Sequence, residues 1–255
     1  MRLAPAVRAA LTGLIAGAGL VAFVGIRPEQ EWILWLTAGL VALSVDGLVR
    51  SHHRWSAGGF WSTWVYLVLP FLGVLAAGFF VDEALEGYAR PAAAAFGGVL
   101  VGLAAFAEYH TADVGSRAYG PMRLFLAVET YLTAFALFTV VFARDVDVPL
   151  ASLIVGGVAA ALAVELLRES QLLGTASFLA GVSVGITLGE LRAVLYFFPL
   201  DALLAGALLI IGFYLATGIV HHLLDHDLTP VNLAEYLLVA AVSTGAVIAA
   251  RLVTS

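Results

Sequence analysis

The sequence predicts an all-α protein, a polytopic bundle of about nine membrane-spanning helices, on three observations. Hydrophobic residues make up 62% of the 255-residue chain and charged residues 12%, where a water-soluble domain of this size carries roughly 25% charged residues. Mean hydropathy is +1.01. The apolar residues are gathered into nine runs, each near the roughly 20 residues that a helix needs to cross hydrocarbon.

The runs are 6–26, 32–49, 60–81, 91–110, 121–143, 149–168, 172–197, 200–224 and 231–252. Short connectors with proline, glycine or charge separate them, and Pro28, Pro91, Pro121, Pro149 and Pro230 fall at or beside helix starts, where a missing N–H is harmless. Pro199 is read as dividing two helices, because residues 172–224 as one helix would extend about 80 Å, too long for any tilt. The first run has no small-residue cleavage site before Arg27 and reads as a spanning helix. Residues 1–255 are therefore expected to form a single transmembrane domain.

Composition removes several chemistries. The chain has no Cys, which excludes disulfides, thiolate metal sites and cysteine nucleophiles. All 12 basic residues are Arg, so Schiff bases of retinal or pyridoxal, and a phosphate-binding loop lysine, are excluded as well. Charge falls in small clusters between the runs, which argues against nucleic acid as a partner and leaves the lipid bilayer. The missing lysine and the pI near 5.4 suit a GC-rich genome and a halophile-like acidic surface.

Arginine sets the expected orientation. Arg2, Arg8, Arg50, Arg54, Arg117, Arg123 and Arg168 lie on the side of the N-terminus, against Arg27, Arg90, Arg144 and Arg251 opposite, with Arg192 approaching that side. This predicts a plasma-membrane protein with its N-terminus cytoplasmic and its C-terminus outside. Residues 37–53, 96–112 and 155–170 also resemble one another, each closing on an acid, Asp46, Glu108 or Glu165, near the cytoplasmic end of an even-numbered helix. If real, this repeat suggests stacked hairpins like those of transporters.

Two intramembrane acids are the leading functional residues. A carboxylate in hydrocarbon must be neutral, paired or in contact with water, and Glu129 and Glu190 lie inside the fifth and seventh runs. In the seventh run Gly181, Gly185 and Gly189 form a ridge for close helix approach, with Ser183, Thr187 and Glu190 on a neighbouring stripe, which predicts a central helix. Gly98 with Gly102, and Gly13 with Gly17, repeat the small-residue spacing. Candidate partners for Glu190 are Arg192, Tyr214 and Tyr131, although Arg192 at i+2 cannot share its face. Holding the bundle in register is the alternative role for both acids.

The histidines make a second candidate site. His221, His222, Asp225 and His226 follow at a spacing of four, so that His222 would sit over His226 on a helix as two zinc ligands do. His110, Glu108, Asp46 or His53 would supply a third ligand for a divalent metal. A hydrated helix end produces the same composition, and cations there meet the helix dipole favourably.

This His-x-x-x-His late in the chain resembles the membrane zinc hydrolases of the ceramidase and adiponectin-receptor superfamily, which implies a metal-dependent hydrolase. The resemblance covers one motif, and that family has seven helices and an early Ser four positions before its His, where Ser51 here adjoins His52. The C-terminal half is similar to an uncharacterised multi-pass membrane family of haloarchaeal and Chloroflexi-type prokaryotes, on Leu188-Gly189-Glu190-Leu191-Arg192, Tyr196 to Pro199, Gly212-Phe213-Tyr214 and Leu233 to Leu237. That resemblance implies no activity. The leading functional expectation is a small-solute or ion transporter, proton-coupled through the intramembrane carboxylates. The alternatives are a non-catalytic accessory subunit, alone as a homo-oligomer or beside a partner subunit, and the metal-dependent hydrolase.

Overall fold

The computed structural model describes residues 4–26, 30–52, 63–144, 146–168 and 175–254. Among them are nine helices and no strand. These are α1 (Pro5–Ile26), α2 (Glu31–Arg50), α3 (Val65–Ala84), α4 (Ala89–Thr111), α5 (Tyr119–Ala143), α6 (Val148–Leu167), α7 (Thr175–Leu195), α8 (Ala202–Leu224) and α9 (Pro230–Thr254). Every one contains a span long and apolar enough to cross a membrane. This is an integral membrane protein. Pro28, His53 and the connector 169–174 lie outside the described residues.

Helix ends follow local chemistry. Pro149 occupies the first turn of α6, and α9 opens on Pro230. Pro199 separates α7 from α8, and the Asp201 carboxylate accepts the Leu204 N–H at 2.9 Å to cap α8, supplying an acceptor to a backbone donor that the helix leaves open. At the other end of α8, His226 takes φ 56°, a left-handed conformation that stops the helix. Pro70 lies inside α3 and is buried.

The chain forms two compact units, Met1–Thr133 and Ala134–Ser255. In the first, α1 packs along α4, backbone to backbone. A Cβ on Gly98 would lie 2.9 Å from the Gly13 carbonyl oxygen and closer still to Gly17. One on Gly102 would meet Gly13 Cα at 3.0 Å. Helices gain no hydrophobic energy by leaving lipid for one another, so such close approach, with its dispersion contacts, is the main source of attraction. Around this pair, the Thr12 and Ser44 hydroxyls bond at 2.6 Å between α1 and α2. Leu34 of α2 fills the space over Gly78 of α3, and Phe23 meets Phe79 edge to face at 6.4 Å.

In the second unit, α6 and α7 repeat the device. A Cβ on Gly185 would lie 2.5 Å from the Gly156 carbonyl oxygen, and one on Gly189 2.9 Å from that of Ser152. The α7 ridge is thus used as the sequence predicts. Leu191 covers Gly212 of α8, Phe138 of α5 meets Phe213 of α8 at 6.2 Å, and Tyr236 of α9 covers Gly218 of α8. The outward faces carry exposed Leu14, Leu43 and Leu153, as hydrocarbon-facing surfaces do.

Gly98→Ala is expected to lower stability in detergent by about 1–3 kcal/mol, the usual cost of overpacking, because backbone cannot move aside as a flexible side chain can. Gly39→Ala, where the added methyl meets nothing within 4 Å, should leave the melting temperature unchanged or higher.

Candidate functional site

The densest set of buried polar groups in the first unit lies towards the end of the helices where α2 and α4 finish and α5 begins. Asp46 receives Arg50 Nε at 2.7 Å and the Thr63 hydroxyl at 2.8 Å. His52 is buried against Tyr109, ring centroids 5.0 Å apart. Tyr109 in turn adjoins His110, which also packs on Phe106. Glu108 has no exposed surface, and Thr111 and Arg123 are buried as well. Asp46, His52 and Glu108 all lie near the ends of α2 and α4.

Glu129 lies deeper. It is ten residues into α5 from Tyr119, about 15 Å along the axis, and only 6% exposed. Among the described residues its Oε2 has no hydrogen-bond partner, and neither do Glu108 Oε1 and Glu165 Oε2. Glu108, three residues from the last residue of α4, is close enough to act on Glu129 electrostatically, like charge against like. Opposite Glu129, α3 presents bare backbone: a Cβ on Gly73 would come only to 3.9 Å from Glu129 Oε1, from Thr133 Oγ1 and from Val101 Cγ2. The carboxyl therefore faces a wall without a side chain, beside one hydroxyl. A buried carboxyl oxygen left unbonded costs about 1–3 kcal/mol. Ionisable groups kept at such cost inside a membrane mark proton or ion pathways more often than packing sites.

The other sequence-predicted residues are placed differently. Glu190, Ser183 and Thr187 are exposed on α7, on the side away from the glycine ridge, since two residues along a helix turn its direction by about 200°. Their hydroxyls donate to the helix itself, Ser183 to the Ala180 carbonyl at 2.7 Å and Thr187 to that of Ser183 at 3.0 Å. Arg192 is buried with its guanidinium 3.8 Å from the centre of the Phe142 ring. Tyr214 packs on Tyr236 with the rings tilted and their centres 5.4 Å apart. Neither is brought to Glu190.

At the end of α8, His221 approaches Asp225 at 3.4 Å and His222 Nδ1 lies 2.7 Å from Asp227 Oδ1. The stacking of His222 over His226 needs a helix through residue 226, and α8 ends at Leu224. The two therefore share no helix face. Among the described residues no three His, Asp or Glu come together as a metal-holding group. His222 instead lies against Tyr236 at 5.7 Å, and the Asn232 side chain donates to the Asp227 carbonyl at 3.3 Å, so the cluster fastens α9 to α8.

Glu165, the third acid of the apparent repeat, is fully buried and paired with Arg168 at 3.2 Å. Its pairing with Arg168 sets it apart from Glu129, and the difference is testable. Glu165→Leu is expected to cost about 3–5 kcal/mol in thermal unfolding, because it takes a buried partner from Arg168. Glu129→Leu should leave the melting temperature equal or higher, since it removes an unbonded oxygen and no partner.

The sequence comparison assigns a family. The family described as "Protein of unknown function (DUF5656)" matches residues 17–250, which is most of the chain, and the chain belongs to it. This is a different family from the membrane zinc hydrolases that the histidine spacing resembles. Comparison with curated proteins and with solved structures finds no match in either.

Proposed function

We propose that this member of the DUF5656 family is a small-solute or ion transporter of the plasma membrane, coupled to protons through Glu129. The observation that carries this reading is the buried Glu129 carboxyl, with Oε2 unbonded and Glu108 within electrostatic reach. Like charges in a medium of low dielectric oppose one another's ionisation. Glu108 lies about a turn inside the membrane level where α4 ends, and Glu129 about three turns deeper than the start of α5. The two form a path with two steps from one side towards mid-membrane.

Arginine is in excess on the side of the N-terminus, which supports a cytoplasmic N-terminus and an outer C-terminus. In that orientation Asp46, His52, Glu108 and Arg123 lie towards the cytoplasmic ends of their helices. Protons would reach Glu129 from the cytoplasm by way of Glu108. Glu190 plays no part in this path, since it stands on an exposed face of α7.

The test is proton flux into vesicles containing the purified protein and an internal pH dye, driven by an imposed potassium diffusion potential. Wild-type vesicles should acidify or alkalinise with the sign of the potential. Glu129→Gln should reduce flux to that of protein-free vesicles while the protein still purifies as a folded species, and Glu108→Gln should slow it. Wild-type vesicles no more permeable than empty ones, or a Glu129→Gln protein as active as wild type, would overturn the reading.

A further inference from the structure

We infer that the recess between Glu129, Thr133 and Gly73 binds a small monovalent cation, sodium, in exchange for the proton of Glu129. This deepens the transport reading above, on which the role of the ion rests, while binding itself is measured apart. Every residue of the recess belongs to the unit Met1–Thr133. A missing side chain shapes it. A Cβ on Gly73 would lie 3.9 Å from Glu129 Oε1, from Thr133 Oγ1 and from Val101 Cγ2, with no closer atom from another helix. Between them α3, α4 and α5 thus leave room for a group about the size of a methyl.

The two oxygens bordering this room come from one helix. Residues four apart on a helix have Cβ atoms about 5–6 Å apart, a gap that one small ion can bridge. Calcium takes oxygen at about 2.3–2.6 Å, and sodium has nearly the same radius. Glu129 and Thr133 are 6% and 5% exposed, and among the described residues Glu129 Oε2 has no hydrogen-bond partner. An entering ion therefore meets a carboxyl oxygen that no other group holds. Thr130, on the same helix, is not available in this way, since its hydroxyl donates to the Leu126 carbonyl at 2.8 Å.

Chemistry and charge choose the ion. A carboxyl and a hydroxyl are hard oxygen donors, which suit alkali and alkaline-earth cations and not softer metals. A protonated carboxyl is neutral, and so is a carboxylate that holds sodium. Exchanging one for the other leaves no net charge in hydrocarbon, whereas a divalent ion would leave one uncompensated. Among the described residues no three His, Asp or Glu gather to hold a divalent metal. Glu108, the acid that acts on Glu129 electrostatically, stands seven residues along α4 from Val101, about 10 Å nearer the helix end. With two protein oxygens on adjacent turns, the ion must approach both closely, which favours sodium over the larger potassium. For each ion that enters, the Glu129 O–H bond breaks and its proton passes to water; on release the carboxylate takes a proton back.

The test is thermal unfolding of the purified protein in detergent, at fixed pH and ionic strength, with choline chloride replaced by sodium or potassium chloride. Sodium should raise the melting temperature of the wild type by about 2–4 °C, and potassium by less than half as much. Gly73→Ala, whose methyl fills the recess at ordinary contact distance, should abolish the sodium shift while melting near the wild type in choline chloride. Glu129→Gln should abolish it too, and Glu190→Gln, which alters an acid outside the recess, should keep it. No sodium shift in the wild type, an equal shift with potassium, or a sodium shift that survives Gly73→Ala and Glu129→Gln would overturn the assignment. Vesicles that conduct protons with a protein indifferent to sodium would sink this inference and leave proton transport standing. The stated pattern of sodium shifts in a protein that conducts no protons would support the site and remove the transport reading.

Discussion

A helix moving from lipid to a neighbouring helix exchanges one apolar surface for another, so this fold depends on how closely two backbones can come together. Gly13 and Gly17 on α1 meet Gly98 and Gly102 on α4, and Gly156 on α6 meets Gly185 and Gly189 on α7. Each compact unit is built around one such pair. The remaining helices attach by filling a glycine hollow with a side chain, as Leu34 does at Gly78, Leu191 at Gly212 and Tyr236 at Gly218. The same principle arranges the polar groups. A face consumed by glycine contact cannot carry polar side chains, and the polar residues of α7 are displaced to the side it leaves open.

The acids on the helices differ in their surroundings. Asp46 and Glu165 hold arginines within hydrogen-bonding distance and fix local structure, as buried partners do. Glu129 lies against the bare backbone of Gly73 and is bonded to no arginine among the described residues. Glu190 stands on an exposed face of α7.

Much of this architecture is legible in the sequence. In a chain this apolar, hydropathy and proline positions place the nine helices of the described residues, including the division at Pro199, and the four-residue glycine spacings mark the contacts of α1, α4 and α7. Helix rotation is harder to read. Where nearly every residue is apolar, as in α3 and α6, periodicity identifies no inner face, so the polar stripe beside a glycine ridge can be assigned to the interior when it lies outside. Glu108 stands out in the sequence as the acid of a repeat, but its approach to Glu129 joins helices whose pairing no local pattern encodes. Gly73 is a lone glycine without a spacing signal. The histidine spacing misleads for a local reason, because His226 leaves the helix in a left-handed turn and the periodicity of four ends with it.

The central claim is that Glu129 can be reached by water and protons from the side where α4 ends. Because the chain contains no cysteine, a single Glu129→Cys substitution can be probed with a small, membrane-impermeant thiol reagent applied to either side of sealed membrane vesicles. The account predicts labelling from the cytoplasmic side, slowed by Gly73→Leu, which fills the wall opposite the carboxyl. A thiol at 129 that reacts from neither side, while one placed at the exposed loop residue Gly115 reacts fully, would show a sealed carboxyl and contradict the account.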